Sequence, residues 1–358
     1  MRRAGVLAAM LALVGLIAPT GVTAPQAGPL RSWRLAFVRD GALWMANGDG
    51  SDQRRVIQNV DRPAWSPDKR KIAFVRKGNV WVANADGSRQ RQLTFRWKRA
   101  QATGEACQVF SEGRWVDASW DPKAPVITFS HWEDYRLTRK DGREARTIAS
   151  CAIYDAPLRA TRGHPELLTR FGPFDREAAY YFSYHSHPAW SRSGKMLAFV
   201  RNGDIWIADR YFDKQGQPSF RLGPDYLRGI WEITATRLAA VAVYDAPTDR
   251  ASRENEGVVR LSWSPDEQYL AYEIRRLSGS GFDEIHVLRV TRDKYDRPRA
   301  SEDRRLVEDG TDPCFSPDGR FLAYESWAWA GSRQGIWVVS RDGKTKQQLV
   351  EDGEQPAW

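Results

Sequence analysis

Two histidines stand one residue apart in the run Tyr184-His185-Ser186-His187. On an extended segment, side chains at i and i+2 face the same way. The pair could therefore work as acid and base, or supply two ligands to a metal. A metal needs a third and usually a fourth ligand. Nothing nearby supplies them, so no metal and no cofactor is expected. The competing reading makes both histidines hydrogen-bonded loop residues. Elsewhere the chemistry-bearing residues are cations mixed with aromatics. Residues 96–115 include Arg96, Trp97, Lys98, Arg99, Arg114 and Trp115, and residues 130–147 include His131, Trp132, Tyr135, Arg136, Arg139 and Lys140. Trp, Tyr and Arg are enriched where proteins grip one another, and a guanidinium fork matches carboxylate or phosphate. Arg96, Trp97, Arg99, Trp115, Trp132, Tyr135, Arg139, Tyr184, His185 and His187 thus form a candidate binding surface. The same aromatics could instead pack long loops onto the body. No Gly-x-Ser-x-Gly elbow, phosphate-binding glycine loop or His-Glu-x-x-His occurs, so no catalytic residue is assigned.

Composition narrows the classes. The chain has 358 residues, 42% hydrophobic and 28% charged, with a formal net charge of +9. That excludes a wholly disordered chain, a collagen and a multi-span membrane protein. Positive charge comes from 43 Arg against 11 Lys and favours an anionic partner. Nucleic acid is disfavoured because no reading motif accompanies the charge. Residues 1–24 read as a secretory signal: Arg2 and Arg3, an uncharged run from Ala4 to Ala18, then Val22-Thr23-Ala24. Pro25 suits a cleavage site poorly, which keeps an uncleaved N-terminal anchor open as the second reading. Either places the body outside the cytoplasm, as a periplasmic, envelope-associated or secreted protein. Residues 25–32 are expected to be a linker and 33–358 a single domain. Of the three cysteines, Cys107 and Cys151 could be bridged, while Cys314 reads as a small buried hydrophobe.

These residues hang on a repeat. Pro63-Ala-Trp-Ser-Pro-Asp-Lys69 recurs as Pro188-Ala-Trp-Ser-Arg-Ser-Gly194, Leu261-Ser-Trp-Ser-Pro-Asp-Glu267 and Pro313-Cys-Phe-Ser-Pro-Asp-Gly319, with a weaker copy at 118–123 and Pro356-Ala-Trp358 last. An alternating run follows each complete copy, for example Ile72-Ala-Phe-Val75, and then a second such as Val80-Trp-Val82. Ser-Pro-Asp-Gly suits a tight turn and Asp-Gly a hairpin. The period, 43 residues from Phe315 to Trp358, matches four-stranded propeller blades. Strands at 35–45 lack a preceding cassette, and the last cassette lacks following strands. The expectation is an all-β, six-bladed β-propeller closed by pairing of the C-terminal strand with the N-terminal blade. The cassette aromatics, together with Trp44, Trp81, Trp206 and Trp337, are expected to pack between blades, and His286 to take the place of one of them.

The cassette, the Ile-Ala-Phe and Ile-Trp-Val runs, Asp-Gly and Leu-Thr together resemble the repeat of TolB-like six-bladed β-propellers. The likeness covers roughly 33–358 and is faint over 96–187. It implies a binding scaffold of the bacterial envelope or an accessory domain of a peptidase. Neither the α/β domain that precedes the TolB propeller nor a hydrolase domain is legible here, so neither a Tol–Pal role nor peptidase activity carries over. Tight turns occupy one face of the expected propeller, and the long segments 96–115, 130–147, 171–187 and 221–258 fall as loops mainly on the other. The expected function is a non-enzymatic, monomeric scaffold that binds a protein or anionic envelope component through those loops. The alternative is a lyase or hydrolase of an anionic polysaccharide, using His185, His187 or a Tyr as base at the channel mouth and Arg to stabilise charge.

Overall fold

A computed structural model describes residues 30–358 apart from 96–97, 104–106, 140–143, 159–165, 168–184, 202, 213–217, 221–234, 240–256, 276–282 and 328–333. The cassette turn shows why strands start and stop where they do. The Ser66 amide bonds the Lys71 carbonyl at 3.0 Å, closing a hairpin. The Ser66 hydroxyl donates to Asp68 at 2.7 Å and accepts from the Lys71 amide at 2.9 Å. The same net recurs at Ser316 and Asp318, where Gly319 takes the positive φ of 73° that the turn requires.

Each hairpin is the inner half of an antiparallel sheet, and the fold is an all-β propeller. Among the described residues there are six sheets. Sheet one joins Glu354–Ala357 to Arg34–Arg39, Ala42–Asn47 and Arg54–Gln58. Sheet two is Asp61–Trp65, Lys71–Arg76, Asn79–Asn84 and Arg91–Gln92. Sheet three holds Lys98–Thr103, Cys107–Trp120, Val126–Arg139, Glu144–Pro157 and Glu166–Leu167. Sheet four starts with His185–Trp190, Met196–Arg201 and Asp204–Phe212. Sheet five is Gly257–Trp263, Tyr269–Arg275, Glu284–Arg292 and Pro298–Val307. Sheet six is Thr311–Phe315, Phe321–Ser326, Gly335–Ser340 and Lys346–Glu351. The last strand lies antiparallel to the first, with Ala357 opposite Ala36 and Glu354 opposite Val38.

A sheet packed on both sides must be apolar on both faces, and the second strands are. Leu35, Ala36, Phe37 and Val38 are all buried, as are Ile72, Ala73, Phe74 and Val75. Apolar clusters bridge sheets one to two, two to three, three to four, four to five, five to six and six to one. Trp358 closes the last of these, 5.7 Å from the Trp33 ring. Leu30, placed by sequence in a linker, is 1% exposed in the same cluster.

Residues 96–115 and 130–147 are not loops over their described parts: they are mostly strand, in pairs up to 14 residues long. The strands simply continue past the usual blade length. His131 accordingly lies in a strand and is 1% exposed. Cys107 pairs with Arg139 and Cys151 with Trp132, on opposite sides of one strand. Seven residues of strand, about 23 Å, separate the two levels, which no disulfide spans. His286 does sit where other sheets carry Trp, 5.4 Å from the Tyr272 ring and 3.2 Å from Glu284.

Candidate functional site

Every innermost strand carries a register break just before its cassette aromatic. At the break stands a non-glycine residue with positive φ: Arg62 (54°), Asp117 (57°), His187 (52°), Arg260 (51°), Asp312 (50°) and Gln355 (51°). All six lie three positions before the aromatic. Such backbone costs roughly 1–2 kcal/mol per residue. What it does is re-aim one side chain per sheet, the common role of a bulge. The six residues all line one axial channel of about 580 Å³, whose other walls are the cassettes with their aromatics, prolines and small residues, together with Lys69 and Arg192.

The ring is internally paired. Gln355 Oε1 accepts from the Arg62 amide at 2.7 Å, and Arg62 Nη1 reaches Asp117 Oδ1 at 2.7 Å. Arg260 also bonds Asp117 Oδ1 and meets Asp312 at 2.6 Å through Nε. His187 Nε2 lies 3.4 Å from Asp117 Oδ2, and its Nδ1 lies 2.9 Å from the Ser186 hydroxyl. Burial opposes ionisation of Asp117, but Arg62, His187 and Arg260 together hold its carboxyl well below the usual range. Burial pushes His187 down to about 3, with Arg260 and Arg62 adding to it against Asp117. The imidazole is therefore neutral. Its proton is assigned to Nε2, facing Asp117, and Nδ1 accepts from Ser186.

Behind the ring, neighbouring sheets are latched by hydrogen bonds to the amides that the bulges free. Ser130 accepts from the His187 amide at 3.0 Å, Glu273 from Asp312 at 2.9 Å and Glu325 from Gln355 at 3.2 Å. One layer further, Ser119 accepts from the Trp190 amide, Ser262 from Phe315 and Cys314 Sγ from Trp358. Cys314 is thus a structural acceptor. Burial, with Asp312 beside it, raises Glu273. Burial followed by Asp312 pushes Glu325 up to about 8. A raised carboxyl stabilises the fold fully below its unfolded value, near 4.5, and loses that stabilisation as pH rises through 8. Glu325→Gln keeps an acceptor for the Gln355 amide and removes the charge. It is expected to raise Tm by several degrees at pH 8 and hardly at pH 5; equal shifts at both pH values contradict the burial argument.

The residues singled out by sequence are placed unevenly. Only His187 joins the ring, and Trp132 is buried at 8% against Val116. Trp132 therefore belongs to the packing of sheet three. The backbones of Arg99, Trp115, Tyr135 and Arg139 lie in the long strands of that sheet, and His185 opens the strand that bears His187. The bulge at His187 breaks the alternation that was to set the two histidines on one face. Arg96, Trp97 and Tyr184 lie outside the described residues. Sequence reasoning missed Arg62, Asp117, Arg260, Asp312 and Gln355. Their signal was present: a polar residue at one offset from every cassette aromatic.

An acid, an imidazole and two cations do converge, but the imidazole is far from neutral-pH titration and both nitrogens face partners. Ser186, although beside His187, does not line the channel. Among the described residues no group of three or more His, Cys, Asp or Glu could hold a metal ion.

The family model for the dipeptidyl peptidase IV N-terminal region matches residues 44–134. Solved structures of similar fold include a protein of Agrobacterium tumefaciens ascribed to TolB, 18% identical, covering 90% of each chain at a TM-score of 0.47. Another is the periplasmic gluconolactonase PpgL of Pseudomonas aeruginosa, 13% identical, covering 90% of this chain and 98% of that one at 0.43. A third is dipeptidyl peptidase 4 of Porphyromonas gingivalis, 13% identical, covering 87% of this chain and 42% of that one at 0.34. Comparison with curated proteins gives no significant match. At these identities and TM-scores the likeness carries no conclusion about function.

Proposed function

We propose that this chain is an exported, non-enzymatic six-bladed propeller, clasped by its last strand, that binds a protein or anionic envelope component on the ring side through sheet three. The six sheets, the pairing of Glu354–Ala357 with Arg34–Arg39 and the cyclic set of apolar clusters support the blade count and the clasp. The binding role rests on one observation. In Cys107–Trp120 ten residues precede the ring residue Asp117, about 33 Å of strand, against one to three in the other inner strands. Sheet three therefore reaches well past the ring and carries Arg99, Trp115, Tyr135 and Arg139 with it. Phe95 and Trp327, 52% and 50% exposed, follow strands that end on the same side. Among the described residues no helix is long and apolar enough to cross a membrane.

The test is site-specific cross-linking in the envelope of the source cell. Wild type is expected to give a discrete adduct that Arg99→Glu with Arg139→Glu abolishes, with Tm unchanged. Trp97→Ala with Trp115→Ala should do the same. Trp132→Ala should instead cost stability, because that side chain is core. An adduct that survives all four changes overturns the reading. The enzymatic alternative is favoured only by the convergence of His187, Asp117 and Arg260. It requires turnover of an anionic polysaccharide that His187→Gln abolishes.

A further inference from the structure

A second recess lies between sheets one and two, away from the channel. Its volume is about 510 Å³, within the ~300–1,000 Å³ usual for ligand sites. Apolar clusters join these two sheets, but at this end the facing positions turn polar. Asn79 and Trp81 share one side of their strand, Gln92 pairs with Trp81, and Gln58 and Asn59 stand opposite. The chain has only 6 Asn and 14 Gln in 358 residues. Five of the ten residues around this recess are nevertheless amides.

Asn79 is the informative one. It is 8% exposed, and its Nδ2 donates to the Lys77 carbonyl at 3.3 Å. Its Oδ1 is buried and has no hydrogen-bond partner. A buried acceptor without a donor calls for a ligand or water that donates. No carboxylate lines the recess, whereas Arg76 and Lys77 do. Arg76 is engaged, with Nε on the Asn59 carbonyl, Nη2 on Gln58 and Nη1 on Gln90 Oε1. It therefore ties the two walls together and orients Gln90. Lys77 is exposed at the rim, and its ammonium takes part in no ion pair among the described residues.

We propose that this recess binds an acidic saccharide, a hexuronate unit of a polysaccharide. Sugar hydroxyls donate to Asn79 Oδ1 and exchange hydrogen bonds with the Gln and Asn amides, each of which offers both donors and an acceptor. The sugar carboxylate sits at Lys77. The site uses sheets one and two alone, so it goes beyond capture of a partner by sheet three and does not depend on it.

Isothermal titration of the full chain with trigalacturonate tests it. Saturable one-to-one binding is expected, with maltotriose at least tenfold weaker because it lacks the carboxylates. Lys77→Gln is expected to weaken trigalacturonate about tenfold. Asn79→Asp is expected to abolish binding, since it sets a negative charge beside the sugar. Should Asn79→Asp lower Tm, Gln92→Glu makes the same test at a half-buried position. The proposal is overturned by absence of saturable binding, by variants that bind as wild type does, or by maltotriose or tetraglutamate binding as tightly. Arg99→Glu with Arg139→Glu should leave saccharide binding intact, which separates this site from the sheet-three reading.

Discussion

Asp117→Ala is expected to lower Tm by roughly 5–15 °C, the largest effect of any single change in the ring. Asp117 has a side-chain exposure of 5% and takes contacts from Arg62, Arg260 and His187, which come from three different sheets. Removing it takes the 2.7 Å partner from Arg62 and leaves Arg260 to Asp312. Breaking a buried ion pair from one side costs about 3–5 kcal/mol, and a chain of this size loses a few degrees per kcal/mol. The cost should be non-additive. Asp117→Ala combined with Arg62→Met removes the cation left without its close partner, and the double variant should melt above Asp117→Ala alone. Thermal unfolding followed by circular dichroism reads both. A single variant within 2 °C of wild type shows that the ring does not tie the sheets together.

Deleting residues 354–358 is expected to do more still. Those residues supply the strand beside Arg34–Arg39, the Trp358 ring against Trp33, and the Gln355 amide held by Glu325. Without them the sheet that begins at Arg34 has an unpaired inner edge, and Leu35 and Phe37 lose an apolar neighbour. Truncating a buried Trp alone costs about 3–5 kcal/mol, so Trp358→Ala should already destabilise visibly. The deletion should remove cooperative unfolding at 37 °C and expose apolar surface to a hydrophobic dye. If the truncated chain melts within a few degrees of the full one, the last strand is not a clasp.

Much of the architecture was legible because it depends on local chemistry. Ser66-Pro-Asp68 makes its own turn through bonds two to five residues apart, and Ile72-Ala-Phe-Val75 alternates as a strand whatever surrounds it. The long strands of sheet three were misread as loops because their sequences mix polar and aromatic residues along their length. The alternation of hydrophobicity that marks a half-buried strand is then absent from the sequence. Trp132 looked like a binding residue by type, and only its contact with Val116 shows that it is packing. The ring was half visible. His187 stood out by residue type, while Arg62 and Asp312 looked like ordinary surface charges beside a proline.

The sequence by itself determined the repeat, the turn chemistry and the strand pairing within most units. Tertiary structure alone decided that residues 62, 117, 187, 260, 312 and 355 meet, that Asp117 is shared by two arginines, and that Asn79 faces a polar recess. The physical reason is distance along the chain. Turns and hairpins are settled by neighbours a few residues apart. Ring partners lie 143 residues apart at Asp117 and Arg260 and 293 apart at Arg62 and Gln355, and the ionisation of Asp117 depends on burial that exists only once the sheets are in place.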